Sequence, residues 1–369
     1  MVIFVVGGIG GVYFQQRVLP WVRSNSMLSR IDFLKKTAEN ITVINRNEQI
    51  TVKEDDSISQ LALQNLATVA EIISVNTQNA KNLQTKGQIA TQSKIGTALI
   101  VTSDGMLVTY RSAILEEDAK YSIVLNDSSK HEATLVGIDE FSNLAFFKID
   151  ASGLPVATFS DSSSLMVGRK MFELSGDQKY AAGILTSKDK TFNLGGMLVS
   201  SSEKLEGVLR VDLNQDEDFL GAPVLTYNGE VAGITGMLVI DNKQTYFQIP
   251  ANVIKNSLDL ALSQKLDQRP FFGAYYVPLT KEYAIEHGIE NEKGALVFAP
   301  SGKQNLAFID GAPAQKAGLK IGDIIIKIDE QELDLDNSLS NILGSHKKGD
   351  QVELTVKRAG EELKIAVKI

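Results

Sequence analysis

Short apolar segments separated by turn residues fill the chain from Ile95 to Gln248, and this pattern constrains the fold more than any other feature of the sequence. Turn residues recur at Ser103–Gly105, Tyr227–Glu230 and Ile240–Lys243. Short strands punctuated in this way are typical of an all-β barrel or sandwich. The length of 369 residues also leaves room for a second domain and a tail. The sequence therefore predicts a mainly β protein with more than one domain.

Charge and cysteine content narrow the possible functions. The formal net charge is −8, whereas a nucleic-acid-binding surface is basic, so nucleic acid is not a predicted partner. The chain has no cysteine, which excludes disulfides and thiolate metal ligands and agrees with an extracytoplasmic bacterial protein. No cofactor is expected.

Oxygen-bearing side chains alternate along one acidic segment as they do at the start of a calcium-binding loop: Asp212, Asn214, Asp216 and Asp218. Such a loop also needs a glycine and a bidentate glutamate, and this chain has Glu217 and Pro223 at those positions. A solvated acidic loop is therefore favoured, and no metal site is predicted.

The N-terminal segment Val2–Phe14 is an unbroken run of apolar residues and glycines. As a helix it spans about 20 Å, short of the roughly 30 Å hydrocarbon core of a bilayer. Val18–Val22 extend the run if Arg17 snorkels to the membrane surface. We expect residues 1–23 to form a single-pass anchor in the cell membrane and residues 24–56 to form a stalk. A buried apolar helix is the alternative, and the positive charges after the segment leave its orientation open.

Three stretches of the β-rich region, Ile95–Ile114, Gly137–Asp150 and Val211–Pro223, resemble the catalytic segments of one family. These are the HtrA/DegP-type proteases, trypsin-fold serine proteases with attached PDZ domains. The resemblance implies a trypsin-like double β-barrel over residues 57–265, an extracytoplasmic location for the bulk of the chain, and a homotrimer. Apolar residues at helical spacing predict that the barrels are preceded by a helix over Ser57–Val75.

All three catalytic positions of that resemblance carry other residues. The triad histidine falls on Ser112, the aspartate on Asn143 and the nucleophilic serine on Leu220. A glycine of the oxyanion hole falls on Asp218, whose carboxylate would oppose a developing negative charge. The resemblance therefore describes a protease fold whose catalytic residues are replaced.

The residues themselves lead to the same expectation. A triad needs an imidazole to accept the proton of the serine. The chain has three histidines: His131 in a segment that alternates like a half-exposed strand, and His287 and His346 near the C-terminus. A cysteine nucleophile is excluded. We therefore predict that the chain is not an enzyme, while a serine–lysine dyad remains formally open.

The C-terminal region carries a second resemblance. Gly311–Asp329, Lys348–Gly360 and Arg269–Tyr276 resemble an HtrA-type PDZ domain, an α+β domain that we expect over residues 266–369. Such domains bind a peptide C-terminus as an added strand, and successive backbone N–H groups receive its carboxylate.

The resemblance assigns this nest of N–H donors to Phe272, Gly273 and Ala274. A glycine lets the backbone approach the ligand, so an aspartate at Gly273 is expected to block the carboxylate and leave the fold largely intact. Phe271 is expected in the core, whereas Phe272 is left between a core role and a ligand-binding role.

Three functions remain open from the sequence. The first is a membrane-anchored, inactive HtrA-like protein that binds peptide C-termini or unfolded chains as an adaptor or chaperone in extracytoplasmic protein quality control. The alternatives are an active serine endopeptidase that uses substituted residues, and a regulatory subunit of an active HtrA protease.

Overall fold

The computed structural model describes residues 17, 54–76, 93–195, 199–213 and 216–369. The predicted anchor at 1–23, apart from residue 17, and most of the predicted stalk at 24–56 lie outside the described residues. Asp55–Ile369 form one compact unit. Within the described parts of the chain, no helix is both long and apolar enough to cross a bilayer.

Six antiparallel strands close into a first barrel in the order β1-β2-β3-β6-β5-β4. They are β1 (Val69–Asn76), β2 (Ser93–Ile100), β3 (Met106–Tyr110), β4 (Ala119–Val124), β5 (Lys130–Asp139) and β6 (Leu144–Ile149). Successive residues of β3 serve two cores, because side chains alternate along a strand. Leu107 packs with the other buried residues of the first barrel, whereas Tyr110 packs in a core that also contains Phe172 and Phe247 of the second barrel.

The helix predicted over Ser57–Val75 ends earlier than expected. Helix α1 covers Glu54–Leu66, and β1 begins at Val69. The residues after the helix include several β-branched side chains, which fit a pleated strand better than a helix. Strand β1 pairs with β2 on one side and with β4 on the other, so closure of the barrel overrides the helical spacing.

A second set of six strands closes in the order β10-β13-β12-β11-β7-β8. They are β7 (Lys170–Leu174), β8 (Tyr180–Asn193), β10 (Glu206–Val211), β11 (Pro223–Thr226), β12 (Val231–Ile240) and β13 (Lys243–Pro250), with β9 (Ser200–Ser201) between β8 and β10 in the chain. Tyr110 of the first barrel meets Phe247 of the second edge to face, with ring centroids 5.6 Å apart. The predicted double barrel is confirmed.

Helix α2 (Ala251–Leu262) leads from the second barrel to the C-terminal domain. That domain contains β14 (Tyr275–Pro278), α3 (Lys281–His287), β15 (Ala295–Val297), α4 (Pro313–Lys316), β16 (Ile324–Ile328), β17 (Gln331–Glu332), α5 (Leu339–Ser345), β18 (Gln351–Arg358) and β19 (Glu361–Lys368). Its sheet runs β19-β18-β16-β15-β14-β9, with β17 paired to β16. The predicted α+β domain is confirmed, and its edge strand β9 comes from the loop between two strands of the second barrel.

Candidate functional site

The segments that carry Ser112 and Asn143 lie side by side at one end of β3. Ser112 lies in a short 3-10 helix, and the N–H of Arg111 donates to the carbonyl oxygen of Asn143 at 2.9 Å. The buried Asn143 side chain donates to the hydroxyl of Tyr110 at 3.3 Å and accepts from Lys204 Nζ at 3.0 Å. Ser112 Oγ is buried and has no hydrogen-bond partner among the described residues.

Leu220 reaches the same region from the second barrel. Its side chain is fully buried, and its carbonyl oxygen accepts from the N–H of Thr97 at 2.8 Å. The next residue, Gly221, has a φ of +80°, and a Cβ there would lie 3.3 Å from the Cβ of Ala113. The segments of Leu220 and Ser112 therefore meet between the barrels, next to the segment of Asn143. We call this contact region, which contains all three predicted triad positions, the inter-barrel cleft.

Both backbone donors of the expected oxyanion hole are engaged within their own short 3-10 helix. The N–H of Leu220 donates to the carbonyl oxygen of Glu217 at 3.2 Å. The N–H of Asp218 donates to Asp216 Oδ1 at 2.9 Å, which caps the helix. An oxyanion bound at this place would have to replace both acceptors.

The acidic segment before Leu220 also has partners within the chain. Asp218 forms an ion pair with Lys179, which pairs with Asp177 at 2.8 Å as well. Hydrogen bonds to these two carboxylates raise the pKa of Lys179. Asn214, which completed the calcium-loop pattern, lies outside the described residues.

The three histidines occupy other elements. His131 lies half-buried on β5, as expected, with its Nε2 3.2 Å from Ser129 Oγ. His287 is the last residue of α3, and His346 follows α5. None of them belongs to the segments that form the inter-barrel cleft.

The predicted nest in the C-terminal domain is formed, and it holds a carboxylate. The N–H groups of Phe272 and Gly273 donate to the same oxygen, Glu203 Oε1, at 3.1 and 2.8 Å. The N–H of Ala274 donates to Ser202 Oγ at 2.9 Å. The structure therefore brings the three predicted donors together, on two acceptors from the loop between β8 and β10.

Gly273 is needed for the shape of the nest itself. Its φ is +74°, and a Cβ would collide with the Cβ of Ala312 and lie 3.1 Å from Cζ of Phe271. The loop is held by this close packing and by the N–H of Ile309, which donates to the Gly273 carbonyl oxygen at 3.0 Å. An aspartate here is therefore expected to strain the loop as well as to oppose a carboxylate, because any side chain at this φ meets Ala312.

The loop residues continue into the sheet. Ser201 lies opposite Tyr275 and Ser200 opposite Tyr276, in antiparallel register. The N–H of Ser202 donates to the carbonyl oxygen of Ala274 at 3.0 Å. Helix α5 flanks this ladder, because the Asn341 side chain donates to the carbonyl oxygen of Glu206 at 2.7 Å. We call the edge of β14, the nest and the facing side of α5 the groove.

The two neighbouring phenylalanines at the nest differ in burial. Phe271 is 39 % exposed, so its predicted core role is wrong, whereas Phe272 is 2 % exposed. Phe272 also faces a cavity of about 240 Å³ beside Ser202. The cavity has a mixed apolar and polar lining: Glu140, Phe141, Ser202, Glu203, Leu266, Asp267, Arg269, Pro270, Phe272, Leu343 and Gly344.

A buried glutamate at the groove was missed by the sequence analysis. Glu206 accepts from the hydroxyl of Tyr276 at 2.8 Å, and its other carboxylate oxygen has no hydrogen-bond partner among the described residues. Burial raises the pKa of Glu206 to about 7, and the neighbouring polar groups of Ser200, Tyr276 and Asn193 offset part of this rise. No motif marks this residue, since its burial depends on the docking of the C-terminal domain.

An arginine that was also missed joins the first barrel to the C-terminal domain. Arg269 forms an ion pair with the fully buried Asp139 at 2.6 Å and donates to the carbonyl oxygen of Gly344, just inside the end of α5, at 3.2 Å. Burial alone would raise the pKa of Asp139, but Arg269 and the hydroxyls of Ser257 and Ser142 hold it below its ordinary value. Arg269 therefore fixes the domain beside the groove.

Comparison with known proteins finds two recognised domains in this chain. A family described as trypsin-like peptidase domain matches residues 96–234, and one described as PDZ domain matches residues 291–369. A protein of Chlamydia trachomatis serovar D named "Probable periplasmic serine endoprotease DegP-like" is 29 % identical over 74 % of this chain and 53 % of its own length. A protein of the same name from Halomonas elongata is 26 % identical over 77 % of this chain and 58 % of its own length. The chain thus spans only slightly more than half of the relatives it matches.

Solved structures agree on the fold. The HtrA-type protease AlgW with a tripeptide superimposes with a TM-score of 0.64 at 22 % identity, over 84 % of this chain and 95 % of that one. A serine endoprotease from Yersinia pestis gives a TM-score of 0.55 at 17 % identity, over 84 % of this chain and 96 % of that one.

These comparisons contradict the prediction that the chain is not an enzyme. The matched relatives are named serine endoproteases, and the trypsin-like peptidase domain is present over residues 96–234. The prediction depended on the replaced residues at the catalytic and oxyanion positions, on the placement of the three histidines and on the absence of cysteine, whereas the similarity extends over both barrels and the C-terminal domain.

Proposed function

We propose, from the premise that this chain is of the HtrA type, with a trypsin-like peptidase domain followed by a PDZ domain, that it captures polypeptides outside the cytoplasm by their free C-termini. Capture serves protein quality control, in which the chain acts on unfolded proteins as an adaptor or chaperone. The extracytoplasmic location is supported by the relatives, which are named as periplasmic.

The observation that carries this proposal is the nest on a carboxylate. Two consecutive N–H groups, those of Phe272 and Gly273, converge on one carboxylate oxygen. Aligned backbone donors of this kind form an anion-binding concavity, and their bonds to an ionised acceptor are stronger than bonds between neutral groups. A terminal carboxylate is the same chemical group, and the edge of β14 offers the rest of a peptide a strand partner.

Peptide binding to the full chain tests the proposal. The probe is a fluorescent hexapeptide that copies residues 197–201 and ends in leucine with a free carboxylate, and the control is the same peptide with a C-terminal amide. We expect a Kd in the micromolar range, about −8 kcal/mol, for the free carboxylate and much weaker binding for the amide. Equal binding of the two peptides would contradict carboxylate capture.

Cleavage of the captured chain is the second candidate function. It is favoured by the trypsin-like peptidase domain and by the names of the relatives. The buried hydroxyl of Ser112, which no described residue bonds, is the serine of the inter-barrel cleft that a serine-reactive inhibitor would test first. Casein turnover that this inhibitor and Ser112→Ala both abolish, and that Ser263→Ala at the end of α2 leaves unchanged, would support the candidate.

Assembly separates the remaining possibilities. A homotrimer is proposed from the resemblance to HtrA proteases, and membrane attachment from the N-terminal sequence. Light scattering of the full chain in detergent is expected to give the mass of a trimer. Mixed particles formed with an active HtrA protease would instead favour a regulatory subunit, and a monomer at micromolar concentration would contradict the trimer.

A further inference from the structure

The groove of the PDZ domain is filled by an extended part of this same chain. We propose that Val199–Glu206, hereafter the internal segment, is a built-in ligand of the groove, in which the Glu203 carboxylate takes the place of a peptide's terminal carboxylate. A free C-terminus with an apolar last residue binds by displacing it. This inference rests on the proposed function and adds how the groove is controlled and which last residue it selects.

The first step of the argument is the carboxylate. Glu203 Oε1 accepts from the N–H groups of Phe272 and Gly273 and from the hydroxyl of Ser202, at 3.1, 2.8 and 2.9 Å. A peptide terminus in the nest would need the same two N–H groups. Glu203 and an incoming C-terminus therefore compete for one set of donors.

The second step is the direction of the internal segment. Ser202 bonds both backbone groups of Ala274: its N–H donates to the carbonyl oxygen and its hydroxyl accepts from the N–H. From there Ser201 and Ser200 run antiparallel to β14, opposite Tyr275 and Tyr276. A peptide that adds a strand to this edge, with its last residue at the nest, would follow the same path. Ser202 occupies the position that the last residue of such a peptide would take.

The third step is the attachment of the internal segment to the barrel. Asn193, at the end of β8, donates from its side chain to the carbonyl oxygens of Ser201 and Lys204, each at 3.1 Å. The N–H of Ser201 donates back to Asn193 Oδ1 at 3.3 Å. The internal segment is therefore held from both sides, and a competing peptide separates the edge of β14 from a segment that stays on the barrel.

The fourth step is the unfilled space beside Ser202. The cavity of about 240 Å³ has Phe141, Phe272 and Leu343 among its lining residues, and the side chain of Ser202 is too small to fill it. A leucine or valine at the end of a competing peptide would bury apolar surface there that Ser202 leaves unburied. This difference gives an apolar C-terminus its advantage over the internal segment.

Removal of the Glu203 carboxylate tests the competition. In the full chain we expect Glu203→Ala to bind the leucine-ending hexapeptide about tenfold more tightly than the unmodified protein, because the nest loses its internal acceptor. Glu132→Ala removes an exposed carboxylate on β5 and serves as the matched control, with an unchanged Kd. Unchanged or weaker binding by Glu203→Ala would overturn the proposal.

A reversible lock provides a second test, because the chain has no cysteine of its own. Ser201→Cys with Tyr275→Cys places two thiols on facing positions of β9 and β14. Oxidation should abolish binding of the hexapeptide and reduction should restore it, whereas Thr355→Cys with Lys364→Cys, a facing pair of β18 and β19, should bind equally in both states. Binding to the oxidised lock at full affinity would exclude displacement.

Hydrogen exchange separates failure of this inference from failure of the proposed function. The amides of Phe272 and Gly273, which donate to Glu203 Oε1, should exchange about tenfold faster in Glu203→Ala than in the unmodified protein, without any peptide present. Unchanged exchange overturns the internal ligand. Faster exchange, with no variant binding the free-carboxylate peptide, supports the internal ligand and contradicts only peptide capture.

Discussion

The inter-barrel cleft and the groove satisfy their backbone donors in opposite ways. In the cleft, Leu220 and Asp218 donate to acceptors two or three residues away. In the groove, Gly273 donates to Glu203, which is 70 residues away in the sequence. A local acceptor leaves only when its own turn unfolds, whereas a distant one can be exchanged for a ligand's carboxylate while the loop keeps its shape. The groove is therefore suited to exchange of partners, and the cleft holds its donors in place.

Substitution of Arg269 is expected to have the largest effect on stability, because this side chain joins the C-terminal domain beside the groove to the first barrel. Arg269→Gln would leave the carboxylate of Asp139 buried without its counter-ion, which should lower the free energy of unfolding by about 4 kcal/mol at pH 7. Urea unfolding measures this change. In Asp139→Asn with Arg269→Gln, part of the loss should be recovered, and full additivity of the two single variants would contradict the pairing.

The pH dependence of that variant has a defined sign. In the unmodified protein the pKa of Asp139 is lowered, so its contribution to stability is present above the ordinary pKa of about 3.9 and is lost as the pH falls through the folded value. In Arg269→Gln the bonds from Ser257 and Ser142 remain, but the largest lowering contribution is lost, so burial holds the pKa of Asp139 higher than in the unmodified protein. The deficit of the variant should therefore shrink on acidification from pH 7 towards pH 4.

Gly221 gives the next largest effect and tests the rigidity of the cleft. Its φ is +80°, and a Cβ would collide with Thr97 and Thr109, so Gly221→Ala should cost about 3 kcal/mol of unfolding free energy. Gly311 has a similar φ of +70° with open space around it, and Gly311→Ala should cost about 1 kcal/mol. Equal costs for the two variants would show that the cleft is not tightly packed.

Glu206 gives a smaller effect and tests whether the groove opens. Its pKa of about 7, above the ordinary 4.5, means that Glu206 holds a proton while the internal segment occupies the groove, and releases it when displacement of the segment exposes the carboxylate to solvent. The internal segment is therefore held most strongly at acidic pH, and less strongly as the pH rises towards 7. Tyr276, which faces Glu206, has a pKa raised well above 10 by burial and stays neutral throughout.

We accordingly expect the hexapeptide to bind about tenfold more tightly at pH 7 than at pH 5, with little further change above pH 7. Fluorescence anisotropy across this range measures the dependence. Glu206→Gln should bind with a Kd that does not change over the same range. A pH dependence that persists in this variant would assign the effect to another group.

Substitution of Phe271 is expected to have the smallest effect on stability. Because its ring is 39 % exposed, Phe271→Ala should lower the unfolding free energy by about 1 kcal/mol or less. Phe272 is almost completely buried, and Phe272→Ala should cost about 4 kcal/mol. Thermal unfolding of the two variants side by side checks the ranking, which would be reversed if Phe271 were the core residue.

The sequence predicted the parts of the fold that depend on local signals. Turn residues such as Ser103–Gly105 marked the strands of the barrels, and Gly273 marked the nest, because a positive φ is a property of one residue. The helical spacing of apolar residues led to a wrong prediction in the second half of Ser57–Val75, where pairing of β1 with two distant strands decided the structure. Helical periodicity does not reveal a partner that lies elsewhere in the chain.

The occupant of the groove depends on a different kind of information. Ser200, Ser201 and Ser202 form a polar run that is typical of a loop, and Glu203 is one of many glutamates. Their role arises when Asn193 and the PDZ domain hold them from opposite sides. No single-residue preference encodes such a contact, so it became visible only in the three-dimensional structure.

The position of β9 in the chain has a consequence for folding during synthesis. Synthesis completes Ser200–Ser201 well before it reaches β14, and domains generally fold from the N-terminus as they emerge. The barrel can therefore present its strand while the PDZ sheet is still forming. An unpaired sheet edge is a template for aggregation between chains. A nascent PDZ sheet that finds its edge already covered avoids this risk during folding, before any ligand is present.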